Sequence, residues 1–330
     1  MKTVHILRGG GERAKLPPGD CVRLADDLTD GILHRDRRLS EELRSTALQR
    51  PIRDLELVRS AVASLREFDE IVVWHGPAHA DQLMLAWLVP LLSLLEVDSR
   101  SVCLAVPRNR RDEVVSLAEA EGRDLLRGYM TRAELDLTVE ALLDRLWSAL
   151  TADSPLPMLE ISDRELRPLP YWKQAKHAFL ARFPDATGLG FHDRTLLLEC
   201  TRRWKPAAKV IADAVEYAQD LAPMTPATAW RRVLRMVGDD EHRGALAIRT
   251  EGRLTPEDSE IRLTELGVEG VHGTTDLLAE MPAYEWIGGT LLRSPDRVWR
   301  WSEQGLLPDR PELWPGSRPC ERQPVVSKAG

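Results

Sequence analysis

The run Ile71-Val72-Val73-Trp74 constrains this chain more than any other stretch: it follows Asp69-Glu70 and leads straight into His75-Gly76-Pro77. β-Branched and aromatic side chains in an unbroken run favour a strand, and the lack of polar alternation means that both faces of that strand are covered. Helices on both faces are the usual cover, and sheets covered in that way are mostly parallel.

The neighbouring segments agree. Val4–Leu7 is a short apolar run ending in Arg8-Gly9-Gly10-Gly11, a strand followed by a turn. Cys21–Leu24 and Ser101–Val106 read as further strands, the latter stopping at Pro107. Leu55–Leu65 carries apolar residues at helical spacing, and Ala80–Leu95 is an apolar helix. This alternation predicts a Rossmann-like α/β domain with a mostly parallel sheet over residues 1–125.

The later residues have a different pattern. Thr131–Leu150 reads as a helix and is followed by Pro155, Pro157, Pro168 and Pro170, so 126–170 is expected to be a helix and a proline-rich linker. Tyr171–Phe183, His192–Arg203 and Thr225–Val237 read as helices, the last opened by a Thr225-Pro226 cap and stopped by Gly238. Two strand-like segments follow, Gly244–Arg249 and Glu260–Leu263. Several helices and then two strands predict a mainly helical domain with a winged-helix-like C-terminal part over 171–310, and a flexible tail over 311–330. Trp286, Trp299 and Trp301 are expected to pack in a core or interface, since aromatic side chains dominate buried area.

Composition narrows the function classes. With 45 Lys and Arg against 52 Asp and Glu, the net charge of -7 argues against bulk polyanion binding, though not against a local basic face. Cys21, Cys103, Cys200 and Cys320 are far apart and form no CxxC or zinc-knuckle spacing, so no metal site and no disulfide framework is expected. The longest apolar run, Leu83–Leu95, is too short to span a bilayer, and no secretory signal is visible at the N-terminus. The expectation is a cytoplasmic protein without a membrane partner.

Candidate site residues gather at predicted strand ends, where ligands bind in open α/β sheets. Gly9 and Gly10 can present backbone N–H groups to an anion, although neither GxGxxG nor a GKS/T motif is complete. Asp27 lies just after the second strand. His75 follows the third strand directly, and Asp81 and Gln82 open the next helix. His75 can exchange a proton near neutral pH, so His75 and Asp81 are candidates for acid–base catalysis, with Asp27 as a second carboxylate. The same residues with Gly9, Gly10 and Gln82 suit a small polar or phosphorylated ligand. Neither His75 nor Asp81 is expected in the core. The sequence leaves the cofactor open, and no GxSxG elbow is present. Arg231, Arg232 and Arg235 can share one face of the Thr225–Val237 helix, where they would contact nucleic acid or a protein partner.

A set of motifs keeps one order along the chain: His5-Ile6-Leu7-Arg8-Gly9-Gly10, Asp27-Leu28-Thr29-Asp30-Gly31, and the stretch Ile71–Leu83 containing Trp74-His75-Gly76-Pro77. Later members are Leu169-Pro170, Phe183-Pro184, Gly188-Leu189, Leu263–Gly267, Trp286-Ile287-Gly288-Gly289 and Trp299-Arg300-Trp301. Together they resemble a bacterial family known as domain of unknown function 1835. The resemblance implies an α/β N-terminal domain with a helical and winged C-terminal part, and brings no established activity. The chain has Gly10-Gly11 where that family places an acidic and a small hydroxyl residue. The functional expectation is therefore a ligand-binding α/β domain joined to an interaction or regulatory module; the alternative is an enzyme acting on a small polar substrate.

Overall fold

The computed structural model describes residues 1–8, 16–24, 28–48, 64–219, 221–238, 243–281, 283–294, 298–302 and 304–308. The chain divides into two compact units, Met1–Lys176 and His177 onward.

The first unit is α/β. Its sheet has the order β2-β1-β3-β4-β5, from β1 (Thr3–Arg8), β2 (Asp20–Leu24), β3 (Glu70–Trp74), β4 (Val102–Ala105) and β5 (Ala133–Glu134). The first four strands are parallel and β5 is antiparallel. All five residues of β3 are buried, as its unbroken apolar run requires. The helices are α1 (Arg37–Leu48), α2 (His79–Leu94), α3 (Gly122–Met130), α4 (Leu137–Leu150), α5 (Leu156–Glu160) and α6 (Trp172–Leu180), the last spanning the division between units. Leu7, Val72 and Trp74 pack with Ala105 and with Leu125 of α3 on one face of the sheet.

The expected helix from Thr131 starts later. Asp136 caps it by accepting from the N–H groups of Thr138 at 2.7 Å and Val139 at 2.9 Å, and the residues before the cap pair with β4 instead. Residues 126–170 thus belong to the first unit: β5 extends the sheet, α4 packs along α2, and α5 packs on α4. The predicted helix Leu55–Leu65 lies outside the described residues apart from its end, where Ser64–Glu67 is a 3-10 turn. At the amino edge of the sheet, Glu70 accepts from Thr3 Oγ1 and Tyr129 OH, both at 3.0 Å, and from Arg132 Nε at 2.7 Å.

The second unit combines helices with small antiparallel sheets. In order it has α7 (Phe191–Glu199), β6 (Lys205–Pro206), α8 (Ala207–Ala218), α9 (Pro226–Met236), β7 (Leu246–Thr250), β8 (Ser259–Leu263), α10 (Glu265–His272) and α11 (Leu277–Glu280). Two hairpins follow, β9 (Tyr284–Ile287) with β10 (Thr290–Arg293) and β11 (Trp299–Ser302) with β12 (Gly305–Pro308). Strands β6, β8 and β7 form one sheet in that order. Its core joins Leu196, Val210, Ile211, Val233 and Ile261. Thr225 caps α9 as its sequence predicts, accepting from Thr228 N at 3.1 Å. Trp299 is buried, and Trp301 Nε1 donates to Leu180 O at 3.0 Å. Among the described residues, no helix is long and apolar enough to cross a membrane.

Candidate ligand-binding site

The register of β1 against β3 runs from Thr3 opposite Glu70 to Ile6 opposite Val73. Two residues further along, the same register sets Arg8 opposite His75, on neighbouring strands about 4.8 Å apart. Side chains alternate between the faces of a sheet, so Arg8 and His75 leave it on the face opposite Leu7 and Trp74. This point lies at the carboxyl ends of the strands, where β2 flanks β1 on one side and β3 on the other. In an open α/β sheet, ligands bind at such a reversal of strand order.

The first turn of α2 meets both residues. Asp81, only 2% exposed, accepts from Arg8 Nε at 2.9 Å. Gly76 makes room for that carboxylate: a Cβ at Gly76 would stand 3.1 Å from Asp81 Oδ2. Gln82 Nε2 donates to Gly76 O at 2.7 Å and lies 3.3 Å from His75 Nδ1. A carbonyl only accepts, so the Gln82 atom facing Gly76 is its NH2, and that nitrogen must donate to His75 Nδ1 as well. The proton of neutral His75 therefore sits on Nε2.

Burial pushes the His75 imidazole down to about 4, so it is neutral at pH 7. Its backbone N–H donates to Ala105 O at 3.0 Å, and the Tyr171 ring lies edge-on at 6.2 Å. Burial raises the Tyr171 hydroxyl, and the charge of Arg108 opposes that rise. The loop after β4 comes close to the turn, with Leu117 N 3.7 Å and Ser116 Cα 3.9 Å from the position of a Gly76 Cβ. Two sets of donors are left: His75 Nε2–H and the Nη groups of Arg8 make no hydrogen bond to any described residue.

His75, Asp81 and Gln82 lie together where α2 follows β3, and one expectation is corrected: His75 and Asp81 are buried, as is Gln82. The turn at 75–78 folds α2 back over the strand ends and takes them out of water. Gly9, Gly10 and Asp27 lie outside the described residues. Arg8 and Tyr171 are the members that sequence reasoning misses. Arg8 was legible as the polar residue ending an apolar strand, but its partner follows only from the register; Tyr171 is separated from His75 by most of the unit. Among the described residues, no group of three or more His, Cys, Asp or Glu could hold a metal ion.

The arginines of α9 require a larger correction. Arg232, 7% exposed in its side chain, pairs with Asp193 and Glu285, and Arg235 pairs with the same two carboxylates. Each of the four carboxylate oxygens takes one Nη group, which closes a ring. Burial alone would raise Glu285, but Arg232 and Arg235 hold it far below the usual carboxylate range. Arg231 is half-buried, with Nη2 3.4 Å from Thr228 Oγ1. Their expected common face is therefore turned largely inward. A small, half-open cleft beside this ring is lined by Gly188, Asp193, Arg235, Met236, Leu277 and Met281.

In comparisons with known proteins, no family model and no curated protein matches the chain.

Proposed function

We propose that the first unit is a ligand-binding domain whose site is the cluster Arg8, His75, Asp81 and Gln82, and that its ligand is small and polar. The observation that carries this reading is the pairing of Arg8 with Asp81 and of His75 with Gln82 at the reversal of strand order, with donor groups left over on Arg8 and His75. Binding is favoured over catalysis by the tautomer of His75. Nδ1 is occupied by Gln82 and Nε2 already bears the proton, so the ring donates a hydrogen bond and has no lone pair for a general base to use.

We infer a winged-helix-like module in the second unit from the order α7-β6-α8-α9-β7-β8 and the sheet order β6-β8-β7. In that layout α9 takes the recognition position. With Arg232 and Arg235 held by internal carboxylates, a protein partner is favoured over DNA. Membership of the domain of unknown function 1835 family and a cytoplasmic location belong to the same proposal. The motif order supports the first, and the free thiols of Cys21, Cys103 and Cys200 support the second.

The test is a thermal-shift screen of amino acids, organic acids, nucleotides and sugar phosphates against wild type and His75→Asn. A ligand that raises the melting temperature of wild type and much less that of the variant supports the site. Equal stabilisation of both would overturn it.

A further inference from the structure

We propose that Met281 is an oxidation site: hydrogen peroxide reaching its thioether through the half-open cleft of the second unit converts it to the sulfoxide and unfastens α11 from the start of β7. The inference is independent of the ligand-binding reading above. It rests on a bond, on access and on the chemistry of sulfur.

Met281 directly follows α11, and its own N–H closes that helix on Leu277 O at 2.7 Å. Its Sδ accepts from the backbone N–H of Ala245 at 3.1 Å. Ala245 is fully buried at the entry to β7, and its carbonyl takes the N–H of Thr264 at 3.2 Å. A thioether is a weak acceptor, yet here it satisfies a buried backbone donor. Access is the second point. Met281 is partly exposed and lines the cleft with Ala245, Met236 and Arg235, where there is room for water-sized molecules. Met84, Met158, Met224 and Met236 are buried, and Met1 and Met130 are well exposed. Among the seven methionines, Met281 joins solvent access to a hydrogen bond at sulfur.

The Ala245 N–H engages one lone pair of the sulfur, and the other can react. It attacks one oxygen of hydrogen peroxide, the S–O bond forms as the O–O bond breaks, and sulfur is oxidised by two electrons. The departing hydroxide takes the proton of the transferred oxygen and leaves as water, so that the thioether becomes a sulfoxide. The oxidised sulfur carries positive charge and no longer accepts from Ala245. Its new oxygen is a good acceptor but cannot stand between the two atoms. An N–H···O bond alone needs about 2.9 Å, nearly the whole separation of the nitrogen and the sulfur. The side chain either withdraws into the cleft or leaves the buried N–H of Ala245 without a partner. Both outcomes weaken the tie between the end of α11 and the start of β7.

The experiment treats the full chain with hydrogen peroxide, resolves each sulfoxide by peptide mass spectrometry and follows the Ala245 amide by NMR hydrogen exchange in 15N-labelled protein. Met281 should be oxidised at least about tenfold faster than Met84, Met158, Met224 and Met236, which react only when the fold opens around them. Exchange of the Ala245 N–H should rise at least about tenfold as the Met281 sulfoxide forms. It should fall back when methionine sulfoxide reductases remove the oxygen. Met281→Leu has no sulfur, so its Ala245 N–H should exchange as fast as in the oxidised protein, and peroxide should add nothing. Met130→Leu removes an exposed methionine and should keep the full response; it decides the matter with wild type should Met281→Leu fail to fold. Oxidation of Met281 no faster than that of the four buried methionines overturns the proposal. So does an Ala245 amide that exchanges equally before and after Met281 is oxidised, or a peroxide response that is lost in Met130→Leu or kept in Met281→Leu.

Discussion

Arg8 donates to Asp81 through Nε and is 30% exposed, whereas Arg232 is held through both Nη groups by Asp193 and Glu285 and is 7% exposed. The first arrangement joins one arginine to one buried carboxylate and leaves an edge of the guanidinium unused. The second joins two arginines to two carboxylates in a ring that uses every Nη group and every carboxylate oxygen. Both clusters hold arginine close to carboxylate beside the first turn of a helix, yet only in the first are Nη groups left without a hydrogen bond to a described residue. A charged cluster is a candidate site because of the donors it leaves over.

The sharpest way to break this comparison is to open the ring. Arg232→Met removes one of the two cations that hydrogen-bond to Asp193 and Glu285 in a buried setting, and should cost about 3–5 kcal/mol in urea unfolding of the second unit. Glu285→Gln in the Arg232→Met background should recover part of the loss, because the uncompensated charge is then smaller. A cost below about 1 kcal/mol would mean that the ring is far wetter than its burial implies.

Acid should weaken the protein through histidine. The unfolded chain protonates histidine below pH 6.5, while folded His75 stays neutral until about pH 4 and folded His192 until about pH 3, both because of burial. In that window the unfolded state binds more protons, so stability falls as pH drops below about 6.5 and is level above it. For His75 alone, the loss between pH 7 and 5 should be about 2 kcal/mol. Urea midpoints at the two pH values check this, and His75→Asn should remove the His75 share of the difference and leave that of His192. A His75 ring that titrates near 6.5 in NMR would show it to be solvated.

These two clusters also mark what the sequence could and could not reveal. The apolar run 71–74 announces a buried central strand, and the position of His75 right after it announces a strand end, because both follow from local pattern. Asp81 and Gln82 were legible for the same reason, as polar residues opening a helix. Arg8 needed the pairing of two strands separated by more than sixty residues, which no local pattern encodes. Arg232 and Arg235 misled for a related reason. Helical spacing correctly gives α9 a basic stripe, but the carboxylates facing it come from Asp193 on α7 and Glu285 on β9, both distant in sequence. Local periodicity fixes which residues share a face and is silent on what covers that face.

A smaller effect separates the partners within the first cluster. Asp81→Asn leaves Arg8 without its counter-charge, but Arg8 is exposed enough to take up water, so the loss should be about 1 kcal/mol. Arg8→Met takes a charged hydrogen bond from Asp81, only 2% exposed, and should cost clearly more. Chemical unfolding of the two variants measures the asymmetry. Equal costs would mean that Asp81 is stabilised chiefly by groups other than Arg8.

The mildest substitution tests how tightly each cluster is built. Gly76 is not in the left-handed region, so Gly76→Ala meets no backbone strain, and its Cβ would stand 3.1 Å from Asp81 Oδ2, the end of a side chain. The carboxylate has to give by a few tenths of an ångström. The cost should stay below about 1 kcal/mol, while the Arg8 Nε–H signal moves as Asp81 drags on it. Gly188, beside the ring in the second unit, is the contrasting case. It has φ +76°, and a Cβ there would lie 2.6 Å from both Asp276 Oδ1 and the backbone N of Leu278. Strain and a backbone clash add together, so Gly188→Ala should cost at least about 2 kcal/mol more than Gly76→Ala. Melting temperatures of the two variants provide the comparison. A Gly76→Ala protein as unstable as Gly188→Ala would mean that the Arg8–Asp81 cluster is as closed as the ring, and that its unused donors do not face a space a ligand can enter.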